Sequence, residues 1–303
     1  MTTIPGIHHV TAISGAPQSN VDFFTGTLGQ KLVKKTVNFD DPGTYHLYYG
    51  DAAGTPGTIL TFFPFVDAGP GRAGPGMASA FAYAIPSADF DRITDDLAVQ
   101  GHTGAGAAVR FGERLVTLRD PDGAPVELIE STEATDAHGF HSITLWARDP
   151  DPTIRLLTEI FGYQHTGTEQ EGATERQRLI APGAERGRIV DVIRVAGAQA
   201  GRQGAGTIHH VAFRAKDDAE QREWMDRLAQ AGHRTTPVTD RQYFNAIYFR
   251  EPGGVLFEIA TDPPGFAIDE PVDQLGRSLK LPAQYEPMRA RIERVLPPLQ
   301  VRA

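Results

Sequence analysis

Two histidine doublets and a late glutamate are the residues of this chain best suited to chemistry. His8-His9-Val10 lies near the N-terminus, His209-His210-Val211 lies far downstream, and Glu258 sits in Leu256-Phe257-Glu258-Ile259. Two neutral imidazoles and one carboxylate on one face of a divalent ion leave the opposite positions open for oxygen and substrate. That is the facial triad of non-heme iron(II) oxygen chemistry. A lone histidine on a strand is more often packed or at the surface. The repeated doublet, joined by the glutamate, points to a split metal site.

Strand parity selects one ligand from each stretch, because alternate residues face opposite sides of a sheet. His9 then shares a face with Ile7 and Thr11, His210 with Ala212, and Glu258 with Leu256 and Ala260. Each strand offers one inward ligand among small or apolar neighbours. His8 and His209 point elsewhere, either hydrogen-bonding behind the ligands or serving only as structural histidines.

The elements that must position these groups recur through the chain. Four stretches read strand, helix, then several strands, the self-similarity expected of a repeat architecture. Strand-like runs occur at Ile7–Ile13, Ala80–Ile85, His141–Ala147 and Ile208–Phe213. Helices follow from Asn20 to Gly29, Ser87 to Gly101, Asp151 to Gly162 and Asp217 to Gly232. Each opens on a capping-type residue and closes on a glycine able to take a left-handed conformation. The turns Asp120-Pro121-Asp122-Gly123 and Glu251-Pro252-Gly253-Gly254 precede alternating strands, and superposing them sets Glu127 opposite Glu258. The pattern predicts an α+β fold of four βαβββ modules in two lobes. An N-terminal lobe would span 1–130, a polar linker 131–138, a C-terminal lobe 139–262 and an extension 263–303. In that extension Phe266 to Gly276 reads as irregular, and a helix from about Tyr285 to Leu296 carries Met288, Ile292 and Val295 on one side. That stripe is expected to dock on its own protein, although it could also close a homo-oligomer contact.

Composition agrees with a two-lobed enzyme. The chain has 303 residues, 40% of them hydrophobic, no cysteine and a formal charge of −9. Without cysteine, histidine and carboxylate are the strong transition-metal ligands left, so the metal would be iron, manganese or zinc. The acidic balance disfavours a nucleic-acid partner, which needs clustered lysine and arginine. No apolar run approaches membrane length, and Met1 to Gly6 lacks the features of a signal peptide, so a cytoplasmic location is expected. The Gly/Pro-rich stretch Gly69 to Gly76 lacks the lysine and following helix of a phosphate loop and reads as a mobile connection.

A βαβββ unit repeated four times resembles the vicinal oxygen chelate superfamily, which includes glyoxalase, extradiol dioxygenases and the fosfomycin and bleomycin resistance proteins. The resemblance covers nearly the whole chain. It implies pairs of modules facing each other around a cup, with metal ligands on the first and last strands of each module. More narrowly, Gly6-Ile7-His8-His9-Val10-Thr11, Tyr45-His46-Leu47-Tyr48-Tyr49-Gly50, Gly54-Thr55-Pro56-Gly57-Thr58, Gly139-Phe140-His141-Ser142 and Pro252-Gly253-Gly254-Val255-Leu256-Phe257-Glu258 are similar to motifs of the hydroquinone-type ring-cleaving dioxygenases. That similarity implies His9, His210 and Glu258 as ligands of iron(II), with manganese(II) as the other candidate. It also implies extradiol-type cleavage of a hydroquinone or related diphenol with insertion of both atoms of O2. Arg241, of the Asp240-Arg241 pair, would stabilise developing negative charge and Tyr248 would exchange a proton near the ring oxygen, with Thr11 beside His9 in the same pocket.

Two rivals use the same fold. A glyoxalase-type isomerase or epimerase would want a second carboxylate ligand, and the module-one counterpart of Glu258 reads as Phe62. A metal-free drug-binding protein would not need His9, His210 and Glu258 together. The pairing of modules also has two readings. Modules three and four would make a site of His141, His210 and Glu258, with Asp191 answering Glu258. Modules one and four, which alone share the His-His-Val doublet, are the favoured pair.

Overall fold

Each repeat folds as a strand, a helix and three further strands. In the computed structural model, residues 3–102 and 107–301 are described, so Met1 and Thr2 of the lead-in to the first strand lie outside the described residues. Module one comprises β1 (Ile7–Ser14), α1 (Pro17–Val21), β2 (Lys31–Asn38), β3 (Asp41–Gly50) and β4 (Ile59–Pro64). Module two comprises β5 (Met77–Pro86), α2 (Ser87–Val99), β6 (Ala108–Arg110), β7 (Glu113–Arg119) and β8 (Pro125–Ser131). Module three has β9 (Phe140–Trp146), α3 (Asp151–Arg155), β10 (Gln164–Glu171), β11 (Thr174–Ile180) and β12 (Ile189–Val195). Module four has β13 (Thr207–Ala215), α4 (Asp218–Gln230), β14 (Thr239–Asp240), β15 (Phe244–Arg250) and β16 (Leu256–Pro264).

The helix ends follow the expected chemistry more closely than the starts do. Gly29, Gly101, Gly162 and Gly232 all have positive φ, between 65° and 85°, the conformation that lets a chain leave a helix without a Cβ clash. At the starts, only α4 is capped by a side chain, with Asp217 accepting from the Glu220 N–H. α1 begins at Pro17 rather than Asn20, since a proline's fixed φ and missing donor suit the first helical position. α1 and α3 continue as wider π-type turns over Asp22–Thr27 and Leu156–Ile160.

The strands form two eight-stranded sheets, ordered β14-β15-β16-β13-β1-β4-β3-β2 and β10-β11-β12-β9-β5-β8-β7-β6. Modules one and four share the first sheet, modules two and three the second. The division near residues 131–138 therefore separates halves of the sequence, and each sheet takes one module from each half. At both sheet centres two first strands run antiparallel, β1 beside β13 and β5 beside β9, while each first strand pairs in parallel with the last strand of its own module. A continuous core of side chains such as Val10, Phe81, Ile143 and Phe213 joins the two sheets.

The Gly69 to Gly76 connection is pinned rather than free. Gly71 N–H donates to the Ala205 carbonyl and Arg72 N–H to that of Arg202. A Cβ on Gly71 would lie 2.4 Å from Thr207 Cγ2, so glycine is what allows the two inter-module connections to run side by side. The C-terminal helix is α5 (Arg289–Val295), shorter than the apolar stripe predicts. Ile292 and Leu296 enter the core, whereas Met288 and Val295 stay exposed. The helix docks on its own chain through the i, i+4 pair instead of the full stripe. Among the described residues, no helix is long and apolar enough to cross a membrane.

Candidate metal centre

The first sheet brings His9, His210 and Glu258 together. One ligand atom from each lies within 4.8 Å of the other two, and all three residues are buried. His9 Nε2 stands 3.3 Å from His210 Nε2 and 3.4 Å from Glu258 Oε2, and His210 Nε2 is 2.9 Å from the same oxygen. The register explains the convergence. Thr11 faces His210 and His9 faces Ala212 across the β1–β13 seam, while Ala212 pairs with Glu258 on β16. A bulge between Ile7 and His9 shifts the alternation, so Ile7 joins the inter-sheet core and does not share the ligand face.

The donor set fits a divalent cation. Both oxygens of Glu258 are buried and neither receives a well-aligned hydrogen bond, a costly state for a carboxylate unless a cation answers it. Burial alone would raise the pKa of Glu258, but the facing His9 and His210 outweigh it and hold the group below the usual carboxylate range. Burial lowers the pKa of His210, and the neighbouring His9 lowers it further. A neutral imidazole with its Nε2 lone pair turned inward is the form that binds metal.

His8 and His209 stand directly behind these rings. His8 Nδ1 is 2.9 Å from His9 Nδ1, and His209 Nδ1 is 2.8 Å from His210 Nδ1. With Nε2 of each inner ring serving as a lone pair, its Nδ1 carries the proton and donates outward, so His8 and His209 must accept as neutral rings. Their surroundings favour that form. Burial lowers the pKa of His8 well below its ordinary value, and burial together with His210 brings His209 down to about 3.

The triad lies in the wall of a cavity of about 290 Å³, together with aromatic residues such as Phe63, Phe65, Phe244 and Tyr248. Tyr248 lies directly across from Glu258 in the β15–β16 register, which fixes its facing. Its ring meets His210 edge-on at 5.9 Å, and its hydroxyl accepts a 3.1 Å hydrogen bond from Arg241 Nε. Burial and then the charge of Glu258 raise its pKa, so the phenol stays protonated. Arg241 pairs with Asp40 of the β2–β3 turn through Nη1 at 3.3 Å; Asp240 instead accepts from the Gln242 N–H.

Other expected residues take different places. Thr11 is fully buried and does not reach the cavity wall. Its hydroxyl accepts from Thr61, and Thr61 in turn lies 2.9 Å from His46 Nε2. His46 does line the cavity, with Nδ1 2.8 Å from the Tyr48 hydroxyl. Sequence reasoning missed the roles of His46 and Tyr48, although their two-residue spacing on one strand is itself a signal that they share a face.

Two register assignments are corrected. Thr11 pairs with Thr61 as Ala212 pairs with Glu258, so the module-one counterpart of Glu258 is Thr61 and not Phe62. Phe62 packs in the core against Phe24 at 4.8 Å. Likewise Thr144 pairs with Asp191, which makes Ser142 the counterpart of His210 and sets His141 beside it as His209 is set beside His210. His141 Nδ1 contacts Ser142 Oγ at 3.1 Å, and its Nε2 faces Glu113 at 3.0 Å in the second sheet, apart from Glu258. Glu127 pairs with Ala82 as Glu258 pairs with Ala212, but guanidinium groups answer the carboxylates there: Arg110 grips Glu127, and Arg176 and Arg178 grip Asp191. With Ala80 and Ser142 where the first sheet has histidines, the second sheet is closed by ion pairs.

Comparison with known proteins agrees with this architecture. Residues 6–128 and 139–259 each match the profile of the Glyoxalase/Bleomycin resistance protein/Dioxygenase superfamily. MhqO of Bacillus subtilis (strain 168), assigned as a ring-cleaving dioxygenase, is 45% identical over 98% of this chain and 97% of its own length. The chlorohydroquinone/hydroquinone 1,2-dioxygenase of Sphingobium indicum is 32% identical over 97% of this chain and 96% of its own. A crystal structure of a dioxygenase-assigned protein from Bacillus subtilis superposes with a TM-score of 0.93 at 44% identity, covering 100% of this chain and 99% of that one. Two matched halves, their repeated βαβββ modules and full-length relatives establish that the chain belongs to the Glyoxalase/Bleomycin resistance protein/Dioxygenase superfamily.

Proposed function

We propose that the chain is an iron(II)-dependent, extradiol-type ring-cleaving dioxygenase that acts on hydroquinones or related diphenols and inserts both atoms of O2. One observation carries the reading: His9, His210 and Glu258 converge on an aromatic-walled cavity, while the position that would add a second carboxylate is Thr61. Three ligands leave room at the ion for two reactants, and the names of the full-length relatives support the same chemistry. Iron(II), or manganese(II) in its place, would supply Lewis acidity toward a phenolic oxygen and a template for dioxygen.

The chain's own groups then have defined tasks. Phe63, Phe65 and Phe244 offer faces for a single ring and exclude water. Tyr248, protonated and beside Glu258, holds a proton at its hydroxyl for a ring oxygen, and Arg241 fixes that hydroxyl while bringing positive charge to the same edge. His8 and His209 keep the inner rings oriented. A glyoxalase-type isomerase lacks its fourth ligand here, and a metal-free binder would leave the Glu258 oxygens unanswered.

The test is oxygen consumption. Protein prepared without air and loaded with iron(II) should take up O2 in equimolar amount with hydroquinone and yield a new chromophore. No uptake across a panel of hydroquinones and catechols would overturn the proposal, and stoichiometric zinc without iron-supported turnover would favour the isomerase.

A further inference from the structure

The sequence between β16 and α5 reads as irregular, yet it makes a connected set of polar contacts to β2 and to the bend between β14 and β15. Phe266 packs against Tyr243 at 5.1 Å with its ring tilted and meets Tyr48 edge-on at 5.1 Å. Asp269 receives two hydrogen bonds on one carboxylate oxygen, from Gln242 Nε2 at 2.9 Å and from the Tyr243 hydroxyl at 3.0 Å. Its other oxygen pairs with Lys34 Nζ at 2.5 Å. Lys34 is itself fully buried on β2 and is also held by Glu270. Glu270 is tied in turn to Ser278.

The bend that Asp269 grips is the one that carries Arg241. Arg241 N–H donates to the Phe244 carbonyl, and Tyr243 N–H donates to the Arg241 carbonyl. Between them Gln242 has φ +66°, one of two non-glycine residues with positive φ among those described. Such a conformation persists when its surroundings over-determine it. Asp240 accepts the Gln242 N–H, and Asp269 holds the Gln242 and Tyr243 side chains. From this bend the Arg241 side chain reaches the Tyr248 hydroxyl and Asp40.

We propose that Asp269, backed by Lys34, is a positioning residue that locks the Asp240–Phe244 bend and so places the Arg241 guanidinium over the cavity. The role given to Arg241 rests on the dioxygenase reading; the locking of the bend does not. The C-terminal extension is then a working part of the site. It carries a carboxylate from outside the four modules to the loop that delivers the cation.

The experiment separates those two layers. In Asp269→Ala, hydrogen exchange measured by mass spectrometry should rise in the peptide spanning 240–244, while metal content stays that of the parent protein. With hydroquinone as substrate, kcat/KM should fall about tenfold or more, because a small displacement of a positioned group is costly. That loss should vanish when Asp269→Ala is made in an Arg241→Ala background, since the two act as one unit. Tyr45→Phe, which removes the tail's separate hydrogen bond to the Pro297 carbonyl, should loosen the tail without changing kcat/KM. Unchanged exchange at 240–244 in folded Asp269→Ala would overturn the proposal, as would an undiminished loss on the Arg241→Ala background. If the parent protein consumes no diphenol, the dioxygenase reading fails and the exchange measurement still decides the lock.

Discussion

His209 Nδ1 lies 2.8 Å from His210 Nδ1, and the same relation holds between His8 and His9 at 2.9 Å. In the proposed centre each doublet is thus a ligand with its own hydrogen-bond acceptor, built from adjacent residues. Replacing His209 or His8 by phenylalanine keeps a ring in place but removes the acceptor. Such groups behind a ligand typically contribute about 10- to 100-fold in metal affinity. Titration of each variant with iron(II) or manganese(II) should show a loss in that range. Undiminished affinity in both would reduce these histidines to packing residues.

Removing a ligand should cost far more than removing its support. His9→Ala is expected to lose tight iron binding altogether, since the remaining imidazole and carboxylate complete no face. His141→Ala, in the second sheet and engaged with Glu113, should retain the full metal content. Metal analysis of the two purified proteins checks this. Iron kept in His9→Ala and lost in His141→Ala would reverse the assignment.

Tyr248 is partly buried and protonated beside Glu258. Tyr248→Phe should lower kcat by about 100-fold or more, the usual contribution of a positioned proton donor, with little change in metal content. Single-turnover kinetics under substrate saturation measure it. An unchanged kcat would leave the residue a wall of the cavity and nothing more.

Outside the site, Asp120 gives stability a definite pH dependence. Burial, helped by the charge of Asp122, raises its pKa from 3.8 to about 6. A raised carboxyl pKa means that the folded state binds the proton more tightly than the unfolded state. The stabilisation is present below pH 3.8 and is lost as pH rises through about 6. Asp120→Asn keeps the Oδ1 acceptor for the Asp122 and Ala124 N–H groups and removes the charge. Between pH 4 and pH 7 the variant should therefore gain stability relative to the parent, by roughly 3 kcal/mol at most. Urea melts at the two pH values test the sign. A constant difference would show that Asp120 does not titrate in that window.

Much of this site was legible because its logic is local. Doublets, alternation and glycine helix ends fall within a few residues of one another, so the four modules, and His9, His210 and Glu258 as the residues that converge, can be read directly. What could not be read depends on register between distant strands. Phe62 and Thr61 differ by one position, and a one-residue slip changes the face. Only the pairing of Thr11 with Thr61 separates them. His141 was misplaced for the same reason. Arg241 lies in the bend that Asp269 grips and Tyr248 on the strand that follows it, and no periodicity in the sequence links Asp269 to that bend.

The corrected register yields a sharper test of why the proposed centre would have three ligands. Thr61 stands where module four has Glu258, and it spends its hydroxyl on Thr11 and His46. His46 Nε2–H donates to Thr61, which already donates to Thr11, so His46 Nδ1 accepts from the Tyr48 hydroxyl. Burial lowers the pKa of His46 well below its ordinary value, consistent with that neutral tautomer. Thr61→Glu replaces this chain with a carboxylate at the position symmetric to Glu258. A fourth ligand should slow loss of the bound metal to a chelator, because binding gains another anionic donor. It should also suppress oxygen uptake, because a position needed by a reactant is now filled. Unchanged metal loss together with undiminished oxygen uptake would show that the symmetric position does not face the ion, and the explanation of three ligands by register would fail.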